Sequence, residues 1–151
     1  MDHIFRLKGV WNGGRNSSGT IESGLLKTEI SIPEPMGGPG IGTNPDEMLL
    51  GAAATCYIIT LAAMLERSSI GVDSLTLDSE GTVDVTNNIF TYKSIVHRPL
   101  LLLAEGQSEE IRAKAEKLAL KAESSCMITR ALAGNVEVSA EPVVNIAQKA
   151  L

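Results

Sequence analysis

Over its first third the chain alternates apolar and polar residues in short stretches, the two-residue period of strands that bury one face. Residues 4–11 (IFRLKGVW) and 20–32 (TIESGLLKTEISI) carry this alternation, with Gly13, Gly14, Arg15, Asn16, Ser17, Ser18 and Gly19 between them. The pattern predicts a strand, a turn-rich loop, and one or two further strands. From Pro33 to Pro45 proline and glycine recur too often for a helix or a central strand, so this segment is expected to be a loop. Its glycines do not spell a phosphate-binding motif: the Gly-x-Gly-x-x-Gly spacing fails at Thr43, and no Gly-Lys-Ser/Thr follows.

The loop ends in a helix start. Asn44 suits an N-cap, Pro45 the first helical position, and Asp46 and Glu47 the first turn, where carboxylates complement the helix dipole. Met48–Leu65 (MLLGAAATCYIITLAAML) then runs eighteen residues without a charge. That length reaches the threshold for a membrane span, but five Ala, one Gly and two Thr dilute its hydrophobicity and charged residues bracket it. A helix apolar on all sides is otherwise a central core helix, enclosed by a sheet and by a second subunit, and that is the expectation here. Met48, Leu49, Tyr57 and Ile59 read as core residues, some of them able to line an apolar access path.

Strand patterning returns at 72–85 (VDSLTLDSEGTVDV) and 89–97 (IFTYKSIVH), with Glu80-Gly81 and Asn87-Asn88 as candidate turns. After Ser108, Ile111, Ala115, Leu118 and Ala122 recur at helical spacing with lysines on the other face, until Ser124-Ser125 interrupts. CMITRALAG predicts a short helix stopped by Gly134, and NVEVSAEPVV a closing strand. Strand runs divided by a central helix and a late helical pair give a single α+β domain over residues 1–151.

Composition narrows the function classes. The chain has 151 residues and only five aromatics (two Phe, two Tyr, one Trp), too few for the stacking platforms of single-stranded nucleic-acid binders. Eighteen acidic against thirteen basic side chains give a net charge of −5, which opposes a polyanionic partner. Met1 to Lys8 lacks the apolar run of a signal peptide, so a cytoplasmic protein with reduced thiols is expected. No metal or other cofactor is expected, because Cys56, Cys126, His3 and His97 have no metal-ligand spacing.

Cysteine is the one candidate nucleophile with a plausible set of partners. Cys56 sits mid-helix, beyond the reach of the helix dipole, where a cysteine commonly serves as a small apolar side chain. Cys126 follows Ser124 and Ser125, either of which could cap the short helix and leave Cys126 in its first turn, a position that favours a thiolate. The residues alone do not decide which sulfur attacks and which resolves; they slightly favour Cys126 as the more acidic. Arg15, in a Gly/Ser/Asn turn, reads as a solvated charge unless something else recruits it.

Taken together, Arg15 after Gly13-Gly14, the run GTNPDEMLLGAAATC from Gly42 to Cys56, and SSCMITRALAGNVEV from Ser124 to Val138 resemble the organic hydroperoxide resistance and osmotically inducible protein C (Ohr/OsmC) family. The resemblance implies antiparallel sheets wrapped around a central helix in an intertwined homodimer. It implies a thiol peroxidase that reduces organic hydroperoxides, with Cys56 attacking, Cys126 resolving as an intrachain disulfide, and Arg15 and Asp46 completing the site. A dithiol, notably a protein-bound lipoyl group, would recycle it. The chemistry suits these types: a guanidinium lowers the thiol pKa and offsets the charge on the leaving alkoxide, while the carboxylate aims the arginine. A second thiol traps the sulfenic acid before over-oxidation. The alternative class is a redox-sensing or apolar-ligand-binding homodimer on the same scaffold without efficient turnover.

Two positions depart from the family's usual residues. Asp46 stands where Glu is usual, and Met127 follows the second cysteine where Pro is common. Ten residues at about 1.5 Å each separate Asp46 from Cys56 by about 15 Å on a straight helix, too far for contact. Either Arg15 bridges that gap, a kink at Gly51 shortens it, or Asp46 and Arg15 come from the other subunit.

Overall fold

The computed structural model describes residues 1–150 as an α+β protein. Two compact units make up the chain, the first running from Met1 to Met48 and the second beginning at Leu49.

In the first unit β1 (Lys8–Trp11), β2 (Gly19–Ser23) and β3 (Leu26–Ile30) form an antiparallel sheet in that order. The strand expected from Ile4 begins only at Lys8, where pairing with Glu22 starts. Alternation is cleanest in β2, which buries Gly19 and Ile21 and exposes Thr20 and Glu22. The Pro/Gly segment is a loop with one turn of 3-10 helix at Glu34–Met36. It folds back along β3: the buried Ser31 hydroxyl donates to the Ile41 carbonyl at 2.8 Å, and the Thr43 amide donates to the Glu29 carbonyl at 2.9 Å. Gly42 allows this close return, since its φ of 66° and the Glu29 backbone beside it leave no room for a side chain. Helix α1 (Pro45–Arg67) starts as the sequence predicts, with the Asn44 side-chain oxygen accepting from the Glu47 amide at 2.9 Å.

The second unit is organised on a long hairpin of β4 (Val72–Thr86) and β5 (Ile89–Leu103). Asn87 and Asn88, at φ 51° and 62°, make the two-residue turn, a conformation asparagine tolerates better than most residues. The turn anticipated at Glu80-Gly81 does not occur, and β4 continues through it opposite Val96 and Ile95. Gly81 is there because the Tyr92 ring and hydroxyl occupy the space a Cβ would need. Strand β5 also runs past its expected end at His97. Pro99 lies between the stretch bonded by β6 (Glu137–Ala140) and the stretch bonded by β7 (Val143–Ile146), so its missing N–H breaks no bond on that side. The single closing strand expected at the carboxyl end is thus two, split at Glu141-Pro142, and both run parallel to β5.

Helix α2 (Glu109–Ser125) is capped by the Ser108 hydroxyl, which accepts from the Ile111 amide at 3.2 Å. It includes Ser124 and Ser125, so the break falls one residue later than expected, at Cys126, before α3 (Met127–Leu132). The core gathers Tyr57, Leu61 and Leu65 of α1, Leu101 and Leu103 of β5, Val144 of β7, and Ala115, Ala119 and Ala122 of α2. Three alanines on one face of α2 turn into this core. The buried residues of α1 recur every fourth position, from Ala53 to Leu65. The helix expected to be enclosed on all sides therefore presents an open apolar face within one chain, with Ile59 63% exposed beside Ala52, Thr55 and Ala62. Its length and apolar composition would also suit a membrane span.

His97 is fully buried in the middle of β5, and burial holds its imidazole below the usual histidine pKa. The unfolded chain therefore takes up a proton first as pH falls. Its stabilising contribution is complete above the unfolded value of about 6.5 and declines by up to about 1.4 kcal/mol per pH unit from there down to the folded pKa. Chemical denaturation between pH 7 and pH 5 should show this loss, and a His97→Phe protein should show a flatter profile.

Candidate active site

The site is built where α1 meets the junction of α2 and α3. Cys56 lies in the middle of α1, half-buried, and Cys126 is the single residue between α2 and α3, fully buried. Seventy positions of chain separate them (126 − 56), and the fold brings their side chains into hydrogen-bond contact as two free thiols. Cys126 serves both helices. Its amide donates to the Ala122 carbonyl at 3.1 Å, closing α2, and its sulfur accepts from the Thr129 amide at 3.5 Å as the N-cap of α3. The expectation of a serine cap with Cys126 inside the first turn is corrected accordingly: the serines are still helical in α2, and the thiol does the capping.

This arrangement decides which sulfur is acidic. Burial pushes the Cys56 thiol up, but hydrogen bonds from the Cys126 side chain, the backbone amides of Ile128 and Met127, and the Thr60 side chain outweigh it and leave the pKa below the ordinary thiol value. Cys126 moves the other way, raised by burial and by the hydrogen bond it shares with Cys56. The slight preference for Cys126 as the more acidic thiol is therefore overturned. Both sulfurs receive amides from the start of α3; what separates them is the deeper burial of Cys126 and the bond between them, which lowers the Cys56 pKa and raises that of Cys126.

Met127 has a particular place in this set. At the first position of α3 a proline fits well but has no N–H. Methionine brings one, and it faces the Cys56 sulfur. Neither Thr60 nor the backbone of residues 127 and 128 was singled out in the sequence. The one available signal was that departure from the family's proline.

Arg15 and Asp46 belong to the first unit. Arg15 is exposed in the loop between β1 and β2, donating to Asn16 Oδ1 at 2.8 Å and to the Met36 and Gly37 carbonyls at 3.1 and 3.4 Å. Three acceptors hold the guanidinium against the Pro/Gly loop, which is more order than a solvated turn residue has. Asp46 is half-buried in the first turn of α1. Among the described residues no group of three or more His, Cys, Asp or Glu side chains is arranged to hold a metal ion.

Fold and thiol pair together define a class, and comparison with known families identifies it. The profile of the OsmC-like protein family matches residues 37–141, and the chain belongs to that family. YmaD of Bacillus subtilis, an uncharacterized protein, is 61% identical over 145 residues, covering 96% of this chain and 97% of its own. The organic hydroperoxide resistance protein OhrB of the same organism is 26% identical over 138 residues, 91% and 97% of the two chains. Among solved structures, an organic hydroperoxide resistance protein OsmC from Legionella pneumophila superposes with a TM-score of 0.73 at 25% identity, over 95% of this chain and 99% of that one.

Cys126→Ala should raise the Cys56 pKa by removing its strongest donor, and Met127→Pro should raise it less by removing one amide while keeping the helix start. The thiolate absorbance at 240 nm, followed from pH 5 to 10, checks both. In the wild-type protein, iodoacetamide should modify Cys56 well before Cys126.

Proposed function

We propose that the chain is a thiol peroxidase that reduces organic hydroperoxides to alcohols. The observation that carries this reading is the pair of free thiols in hydrogen-bond contact, one half-exposed with a lowered pKa and the other buried with a raised one. Membership of a family that includes organic hydroperoxide resistance proteins supports it.

The cycle begins with the Cys56 thiolate attacking one oxygen of the hydroperoxide. A sulfur–oxygen bond forms, the O–O bond breaks, and the alkoxide leaves with the electron pair and takes a proton to become the alcohol. Cys56 is now a sulfenic acid, oxidised by two electrons. The Cys126 sulfur, already adjacent, attacks it; a disulfide forms and the hydroxyl leaves as water, taking the Cys126 proton. A dithiol, for which a protein-bound lipoyl group is the candidate, restores both thiols and becomes a disulfide itself. Amides at the start of α3 and the Thr60 side chain steady the charge on Cys56. The family resemblance assigns to Arg15 and Asp46 the task of offsetting the charge on the leaving oxygen. The active form is a homodimer, consistent with the open apolar face of α1, which a second copy would cover, and with an adjoining apolar groove of about 630 Å³ lined in part by Ile59, Ala62, Ile70 and Leu75. The protein works in the cytoplasm, where reduced thiols are the default.

Purified protein with a dithiol should consume tert-butyl or cumene hydroperoxide faster than hydrogen peroxide. Cys56→Ser should reduce turnover to background. Cys126→Ser should keep the first oxidation but accumulate sulfinic acid at Cys56, read by mass spectrometry. Wild-type turnover in the Cys56→Ser protein would overturn the reading. Oxidation by one equivalent of hydroperoxide without recycling by any dithiol would favour a redox-sensing role on the same scaffold.

A further inference from the structure

The two sulfurs sit on different helices, and something must set the spacing between those helices. Tyr57 follows Cys56 on α1 and points about 100° away from it around the helix axis, into the core. Its ring is fully buried, and its hydroxyl donates to the Ala119 carbonyl of α2 at 2.8 Å. Ala119 lies seven residues before Cys126, two turns up the same face of α2 from its carboxyl end. A helix carbonyl has two lone pairs, so the Tyr57 bond adds to the backbone ladder without replacing any part of it.

Behind Tyr57 stands His97. The two rings stack with centroids 4.6 Å apart and planes 11° from parallel. His97 is itself fixed from two directions: its Nδ1 is 2.7 Å from the Ser79 hydroxyl on β4, and its carbonyl accepts from the Glu141 amide at 2.8 Å. A rigid path therefore runs from the β4–β5 hairpin through the imidazole and the phenol to α2. Both rings are fully buried and the Ser79 contact partly so, and the path ends on the helix whose last turn is closed by Cys126.

We infer that Tyr57 is a positioning residue, a hydroxyl strut backed by His97 that sets the separation of α1 and α2 and through it the contact between the Cys56 and Cys126 sulfurs. The inference rests on the thiol-redox reading of that pair, but not on the identity of the oxidant. Burial and the nearby Glu123 carboxylate raise the Tyr57 pKa, so the phenol keeps its proton and donates throughout the range in which Cys56 ionises. The geometry also explains why both groups are buried and polar at positions where Phe and Leu would fill the same space. An apolar pair would pack the core but would not hold α2 at one height along α1.

The test uses the full-length, reduced protein and two readings that involve no hydroperoxide. One is the Cys56 titration at 240 nm. The other is the rate of disulfide closure with diamide, an azo oxidant that takes two electrons and two protons from the thiol pair and becomes the hydrazine. Tyr57→Phe keeps the ring and removes only the hydroxyl. It should raise the Cys56 pKa, because the Cys126 donor is displaced, and slow closure by about tenfold or more, the scale expected of a displacement near 1 Å. His97→Leu, which leaves the hydroxyl but removes its flat support, should move both readings the same way. Wild-type values in the Tyr57→Phe protein, whatever its melting temperature, overturn the proposal; should that protein not fold, wild-type values in His97→Leu overturn it instead. Because neither reading involves hydroperoxide turnover, failure of the peroxidase reading leaves the strut testable, and a peroxidase indifferent to Tyr57→Phe removes the strut alone.

Discussion

The contact between the two thiols joins the middle of one helix to the junction of two others, and most of the second unit can be understood as what holds that contact in place. A mid-helix cysteine has no dipole of its own helix to draw on. Its acidity has to come from outside, and here it comes from a second helix start directed at it, with Cys126 as the cap and the Ile128 and Met127 amides beyond. That requires α2 to stop at Cys126. Its C-terminal turn is closed by the Cys126 amide on the Ala122 and Glu123 carbonyls, and the extended ψ of 128° at Cys126 redirects the chain into α3. One residue thus ends a helix, begins another and supplies a thiol.

Packing enforces the same geometry from below. The alanine face of α2 shares one core cluster with Tyr57, Leu61 and Leu65, and its small side chains leave room there for the Tyr57 ring. The cost is a helix α1 whose middle, residues 48–65, is uncharged on every side yet covered on only one. Ile59 and its neighbours on the open face carry no charge and are apolar but for Thr55, in a chain whose helix α2 carries the usual charges. A continuous surface of this kind is rare on a protein that works as a monomer. The proposed dimer would remove it from water.

How much of this could be read from the chain follows from the range of the forces involved. The start of α1 was legible because Asn44, Pro45, Asp46 and Glu47 act within one turn, and the Asn87-Asn88 turn because its backbone demands those residues. Errors arose where a distant group had the deciding vote. Gly81 looks like a turn until Tyr92 is seen over it, and Pro99 looks like the end of a strand until β6 and β7 are seen to leave a gap for it. The two cysteines and Arg15 could be nominated from the order of motifs, but the relative acidity of the thiols could not. That depends on how deeply each sulfur is buried and on the bond they share, matters of tertiary contact to which the local sequence around Cys126 gives a misleading answer.

The asymmetry between the sulfurs bears on the reductive half of the proposed cycle. In thiol–disulfide exchange the sulfur with the lower pKa is the better leaving group, which would direct an incoming thiolate to Cys126 and expel Cys56. Cys126 is fully buried, however, while Cys56 is half-exposed. Access and leaving-group ability therefore point to opposite sulfurs. A reductant that attacks the accessible Cys56 must expel the more basic Cys126 thiolate into the core, where burial disfavours charge, unless a proton reaches it as it leaves. A reductant that attacks Cys126 must first open the junction of α2 and α3. A small, flexible dithiol meets the first demand more easily than a folded thioredoxin-like protein, because its second thiol is held beside the mixed disulfide and can complete the exchange without a further encounter. The same burial that shields the resolving thiol from stray oxidants thus favours a reductant with two sulfurs on one short arm.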